Sequence, residues 1–283
     1  MKKGYHIPLH LTENQIVSMG EKLLGEKWYE AIEIKFPFND GNNHSDSYVK
    51  GIRYLINEFS PMVSMHIPTN LDLGHGNTFV RQTIIDQIKE SIDFAQSCGA
   101  IMLPIHPGTI GTMDIPVTGD SQIKERLIKA SENKKQKARE LTIEALVDLS
   151  DYISSTQMIL TLENVLLPQE IVYSANDLDS ILKEVDRPNV KALFDCGHAY
   201  RCGIEPAKFI NELQSEIAHI HVNDNDGTCD LHLSIGEGTI DYGSMFNELK
   251  NKNYQGTIVM ETGYDSAEDL IEDAKRLQQY IEG

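Results

Sequence analysis

Cysteine is scarce in this chain: four in 283 residues, at Cys98, Cys196, Cys202 and Cys229, with no CxxC spacing. That density excludes a disulfide-built scaffold and a four-cysteine zinc module, and it fits a reducing compartment. Cys196 and Cys202 flank one loop and read as small residues beside a site rather than as a redox pair. Basic residues are also few. Twenty-five Lys and Arg stand against 43 Asp and Glu, a formal net charge of −18 that repels polyanions as a class. No apolar run approaches the roughly 20 residues that a membrane span requires. The basic start MKKGYHIPLHL has no continuous apolar stretch, so it reads as a first strand and not as a signal peptide. The expected place is the cytoplasm. Without a linker, a low-complexity tract or a shift in composition, residues 1–283 read as one domain.

What the chain does contain is alternation. Apolar β-type runs fall near residues 4–9, 31–36, 62–67, 100–106, 158–163, 190–195, 217–222 and 257–261. Helical periodicity fills the intervals, near 12–25, 46–59, 78–98, 121–153, 175–186, 205–214, 243–252 and 265–281. Ile84, Ile88, Ile92 and Ala95 recur at three- and four-residue steps, as do Leu270, Ala274, Leu277 and Ile281, the spacing of an inward helical stripe. The segment Lys124–Glu140 intersperses Glu125, Glu132 and Glu140 among its lysines and reads as an exposed helix, not a nucleic-acid patch. Eight strand–helix units predict an α/β fold of the (β/α)8 TIM-barrel type.

Six consecutive runs end in a residue able to ligate a metal: VSMHIP, IMLPIHPG, MILTLEN, VKALFDCGH, IAHIHVND and TIVMETG place His66, His106, Glu163, Asp195, His221 and Glu261 at C-terminal strand edges. In a closed parallel barrel those edges share one rim, where the active site is built. Three carboxylates and an imidazole (Glu163, Asp195, His221, Glu261) converging there would repel one another, and a divalent cation resolves the repulsion. The mixed oxygen and nitrogen set suits Mn, Co, Mg or Zn. His198 follows Asp195 by three residues. Asp230 and His232 are separated by one, which in an extended segment aims both side chains the same way. With His66 and His106 the set reaches nine, too many for one ion. The expectation is one to three ions per chain, or one ion with the surplus side chains on substrate hydroxyls.

The motifs TLEN, DCGH, HIHVNDNDG, DLHLSIGEG and METG, with HIP and HPG earlier, resemble the xylose-isomerase-like barrels over the full length of the chain. That group includes sugar isomerases and epimerases, inosose dehydratases and the endonuclease IV family of abasic-site nucleases. For the epimerase branch, the resemblance implies that Glu163, Asp195, His221 and Glu261 hold one divalent metal, that the two glutamates relay a proton, and that His198 contacts substrate. For the endonuclease branch it implies that all nine positions, His66, His106, Glu163, Asp195, His198, His221, Asp230, His232 and Glu261, bind three zinc ions.

The rim loops separate the branches. Residues 10–20, 37–48, 67–79, 107–122, 164–178, 196–205, 222–242 and 262–272 contain one basic side chain, Arg201, and no lysine. A nuclease must meet several phosphates with Lys, Arg or helix N-termini. The chain also reads ENVLLPQE where endonuclease IV carries an AGQG-type sequence. The reading is therefore a metal-dependent sugar isomerase or epimerase acting on a small sugar or polyol. Glu163, Glu261 and His198 are the catalytic residues, and His106, His198, Asn164 and Arg201 are the substrate contacts. The abasic-site endonuclease is the alternative, and an inosose-type dehydratase needs the same acid–base pair. Nucleic acid and membrane partners are not expected, whereas a homo-oligomer is compatible, since related barrels often pair. His10 and Tyr264 lie close enough in sequence to the rim to reach the pocket, although a surface or strand-packing role is the favoured reading of His10; Trp28 and Tyr29 read as packing, and His44 and His75 as exposed.

Overall fold

The computed structural model describes residues 1–37, 44–111, 121–166 and 169–283. Eight strands form a closed, wholly parallel barrel in sequence order: β1 (Lys2–His6), β2 (Ala31–Lys35), β3 (Met62–His66), β4 (Met102–Ile105), β5 (Ile159–Glu163), β6 (Val190–Asp195), β7 (Ile217–Val222) and β8 (Thr257–Met260), with β8 paired back onto β1. Around it lie α1 (Glu13–Leu23), α2 (His44–Phe59), α3 (Thr78–Ser97), α4 (Ser121–Tyr152), α5 (Ala175–Val185), α7 (Pro206–Glu212), α8 (Tyr242–Asn251) and α9 (Ala267–Glu282). A short helix, α6 (Cys196–Arg201), leaves the end of β6 directly and was not expected. None of the described helices is long and apolar enough to cross a membrane.

A two-residue period builds the wall. In β2, Ile32 and Ile34 are fully buried in the hydrophobic core, while Glu33 and Lys35 take the other side. That side is the lumen, because Glu33 meets Ser64 of β3 and, across the barrel, His219 and His221 of β7. The periodic helical residues behave as the pattern demands: Ile84, Ile88, Ile92 and Ala95 of α3 are buried, as are Leu270, Ala274 and Leu277 of α9.

Helix starts are fixed locally. Ser174 with Asp177 and Ser266 with Asp269 form capping boxes at α5 and α9, and Asn77 accepts two backbone N–H groups at the start of α3. Most of the loop 37–48, most of 107–122, and Leu167 and Pro168 of the ENVLLPQE stretch lie outside the described residues, as does the His44 side chain.

Candidate active site

The rim begins at β6. Asp195 closes that strand and caps α6, its Oδ1 accepting the backbone N–H of His198 at 2.7 Å. One residue thus presents its second oxygen to the lumen and starts the turn that swings the His198 ring over β5. Gly197 in that turn must lack a side chain, since a Cβ would stand 1.9 Å from Asn223 Oδ1. Asn223 returns the favour by donating Nδ2 to Asp195 Oδ2 at 3.1 Å.

Glu163, at the end of β5, is fully buried and ringed by four imidazoles. His66 Nε2 and His106 Nε2 lie 3.3 and 3.4 Å from its Oε2; His198 Nδ1 and His221 Nδ1 lie 3.3 and 3.4 Å from its Oε1. His221 Nδ1 also faces Glu261 Oε2 at 3.2 Å and Asp195 Oδ2 at 3.9 Å. Ligand atoms of Glu163, Asp195, His221 and Glu261 all lie within 4.8 Å of one another. The expected four are therefore gathered at one point. Three further groups share a member with them: His66 with His106 and Glu163, His66 with His221 and Glu261, and Glu33 with His219 and His221.

The remaining positions divide. His198 Nε2 is 3.7 Å from Asp230 Oδ2, which His232 Nε2 meets at 3.0 Å, so Asp230 and His232 border the cluster through His198. His232 occupies the left-handed region (φ 48) and is tied down by its Nδ1, 2.5 Å from the Glu261 carbonyl oxygen. The other two expected substrate contacts are Asn164 and Arg201. Asn164 is fully buried, and its amide is engaged at both ends by the Asp195 backbone, donating to O and accepting from N at 2.9 Å each. Arg201 is exposed at the end of α6 and pairs with none of the cluster residues. His10 is exposed, and the Tyr264 hydroxyl donates to the His6 carbonyl oxygen at 2.9 Å. Cys196 and Cys202 are free thiols.

Three residues were missed. Lys35, at the end of β2, places Nζ 3.2 Å from Glu261 Oε1, so a lysine does stand at the mouth. Lys35 belongs to the strand and not to the loop that follows it, which is why the rim loops contain no lysine. Glu33 and His219 lie one layer deeper, fully buried; the HIH spacing of β7 and the Glu–x–Lys spacing of β2 were the available signals. Glu170 also reaches His106 Nδ1, at 3.7 Å.

Electrostatics follow from this crowding. Burial pushes the Glu163 carboxyl up, but His106 and His221 more than reverse it and hold it well below the ordinary range. Glu261 behaves alike: burial opposed, and overcome, by His221 and Lys35. Burial raises Asp195 to about 6, with the Glu163 charge adding and His198 opposing. Burial lowers the imidazole of His106, yet Glu163 lifts it to about 9; His198 and His221 are carried well above their usual value, against burial, chiefly by Asp195 and by Glu33 respectively. Protons on these imidazoles occupy the electrostatic role of a cation. Neither oxygen of Glu163, nor Nδ1 of His221, nor Oδ1 of Asp230 has a partner in good hydrogen-bond geometry. Buried polar atoms left so need a ligand. A mixed oxygen and nitrogen donor set of this kind fits a divalent metal ion.

Residues 24–281 match the family described as the xylose isomerase-like TIM barrel. The chain belongs to that family. Among relatives of this xylose isomerase-like barrel, an uncharacterized protein of Methanocaldococcus jannaschii is 27% identical over 288 residues, covering 100% of this chain and 90% of its own. The fructoselysine 3-epimerase of Shigella flexneri is 26% identical over 196 residues, 69% of this chain and 63% of that enzyme. A solved D-tagatose 3-epimerase-like protein superposes with a TM-score of 0.74 at 24% identity, covering 100% of this chain and 97% of that one, which speaks for the shared fold.

Proposed function

We propose that this barrel is a divalent-metal-dependent sugar isomerase or epimerase that moves a proton at the carbon next to a carbonyl. The carrying observation is the convergence of Glu163, Asp195, His221 and Glu261 within 4.8 Å, with both glutamates facing His221 Nδ1. These four would hold the ion, of which one to three are compatible with the neighbouring His66, His106, His198, Asp230 and His232; Mn, Zn, Co and Mg all suit the donors. When bound, the ion supplies Lewis-acid polarisation of the substrate carbonyl.

The protein's own groups would do the rest. One glutamate, Glu163 or Glu261, takes the proton from carbon and the other returns it. Both are held ionised by their histidine neighbours, with Lys35 assisting at Glu261, so either can accept the carbon proton. The one that returns a proton first takes it from its own neighbour, Lys35 at Glu261 or His106 at Glu163, which solvent re-protonates as the first glutamate releases its proton. His198 and His106, beside Glu163, would orient hydroxyl groups. Lys35 would offset negative charge at the mouth, beside Glu261. Beside Lys35 and His66 opens a cavity of about 180 Å³, also lined by Leu9, Phe36, Pro68 and Asn70, which suits a small polyol. A larger cleft of about 540 Å³ lies at the opposite end of the barrel, around Met102, Ile159 and Ile217, and contains none of the ligating side chains.

The similarity to a fructoselysine 3-epimerase supports the sugar-epimerase reading. The competing three-zinc phosphodiesterase reading draws on the His66–His106–Glu163 group, which could seat a second ion. Metal content together with proton exchange decides between them. Protein incubated with keto- and aldo-sugars in deuterated water should incorporate deuterium at the carbon next to the carbonyl, and Glu163→Gln should not. Three equivalents of zinc with cleavage of abasic duplex DNA and no exchange would overturn the proposal.

A further inference from the structure

Glu33 has no place in the ligand set, yet it is a fully buried charge at the centre of the barrel, and such a charge needs a reason. We infer that Glu33 is a positioning residue that fixes the orientation and ring tautomer of His221, so that His221 Nδ1 carries the lone pair offered to the metal. This inference rests on the metal-dependent reading above.

The geometry leads there directly. His221 is wedged between two sets of oxygens. Nδ1 faces Glu261, Glu163 and Asp195, while Nε2 lies 3.1 Å from Glu33 Oε1 and 3.2 Å from Glu33 Oε2. An ionised carboxylate can only accept, so whatever nitrogen faces it must carry the proton. With Nε2–H committed to Glu33, the neutral ring has one free lone pair, on Nδ1, at the point where the other three ligands converge. The negative charge behind the ring also strengthens the imidazole as a donor to the ion.

Glu33 is itself held in place. Ser64 Oγ donates to its Oε2 at 2.9 Å and His219 Nε2 lies 3.0 Å from the same oxygen. His219 Nε2 faces an acceptor-only carboxylate oxygen, so it is the ring nitrogen that donates there. Ser64 from β3 and His219 and His221 from across the lumen thus all turn donors toward Oε2, and Oε1 lies 3.1 Å from the same His221 Nε2. The three side chains Glu33, His219 and His221 are close enough to suggest an ion of their own. Both imidazoles, however, face Glu33 Oε2 with Nε2 at hydrogen-bond length, 3.0 and 3.2 Å, which is the arrangement of two donors on one carboxylate; a second ion there is an outcome of the test below.

The test is metal affinity in chelator-stripped, intact protein. Glu33→Gln preserves volume but sets an amide against Nε2, which favours the wrong tautomer. Titrated with Mn²⁺ by calorimetry, Glu33→Gln should bind about 10- to 100-fold more weakly than the wild type. In the presence of chelator the two proteins should share the same circular dichroism. His219→Gln, which can still donate to Glu33, should stay within about threefold of wild type. A Glu33→Gln protein that binds Mn²⁺ within about threefold of wild type overturns the inference and leaves the metal-dependent reading standing. Loss of one whole equivalent, with the remaining equivalent at unchanged affinity, overturns it in favour of a second ion at Glu33. A wild-type protein that binds neither Mn²⁺ nor Zn²⁺ removes both readings together. Should Glu33→Gln fail to fold, Ser64→Ala takes its place: freeing Glu33 from its hydroxyl donor should weaken Mn²⁺ binding several-fold, and unchanged affinity overturns the inference.

Discussion

The two halves of the barrel wall carry their charges differently. From β5 to β8, every strand ends in a side chain of the four-residue cluster, all facing one point. From β1 to β4 the charged and imidazole side chains act on those of the late strands: Glu33 on His221, Lys35 on Glu261, His66 and His106 on Glu163. The late half thus gathers a donor set that could hold a metal, and the early half sets the charges around it. Substitutions at Glu33 and Lys35, outside that set, therefore bear on it as well.

Replacing a carboxylate of the late half should have the largest effect. Glu163→Gln should reduce turnover roughly 10²- to 10⁴-fold with the fold retained, as read by proton exchange and circular dichroism; near-normal turnover would dissolve the distinction between the halves. Replacing the early-half cation should separate binding from turnover. Lys35→Met removes a positive charge beside Glu261, so divalent ions should bind at least as tightly as to wild type while kcat/KM falls about tenfold, the value of one charge-assisted hydrogen bond. Weaker ion binding in that variant would place Lys35 among the structural supports instead.

The imidazolium–carboxylate pairs across the lumen set a pH dependence. His106 is held at about 9 against an ordinary value of 6.5. A raised folded-state value means that its stabilisation is complete below pH 6.5 and is lost as pH rises through 9. The cost attached to Asp195, raised from 3.8 to about 6, develops below this window. Metal-free protein should therefore lose about 1–3 kcal/mol between pH 6.5 and 9, measured by denaturant unfolding. Metal-loaded protein should lose less, because the ion displaces the proton. Stability that rises across this window would contradict the pairing.

A smaller effect is expected behind the late half. Asn164→Ala, which unpairs buried backbone groups of Asp195, should cost about 1–3 kcal/mol. The smallest belongs to the surface: Phe79, 87% exposed at the start of α3, should tolerate serine within about 0.5 kcal/mol. A larger loss there would point to a partner surface.

Much of this was legible in order of residues. The apolar runs separated by periodic helices located all eight strands, and the polar residue closing each late strand marked Glu163, Asp195, His221 and Glu261 as neighbours. Other features escaped for definite reasons. AIEIK reads as an apolar run interrupted by charge, and nothing local says that Glu33 meets a strand 186 positions later. DCGHAYR gave His198 by spacing but concealed the short helix that Asp195 caps. Asn164 sits beside the cluster in sequence, yet its amide is used by the neighbouring strand.

Strand period and element order are local properties of the chain, and they determined the wall, the rim and which residues point at it. Pairing across the lumen is not local. It depends on how far each strand slides past the next when the sheet closes, because a two-residue step changes which layer a side chain occupies. Only the closed barrel could decide that Glu33 stands behind His221, that Lys35 answers Glu261, and that four imidazoles enclose Glu163.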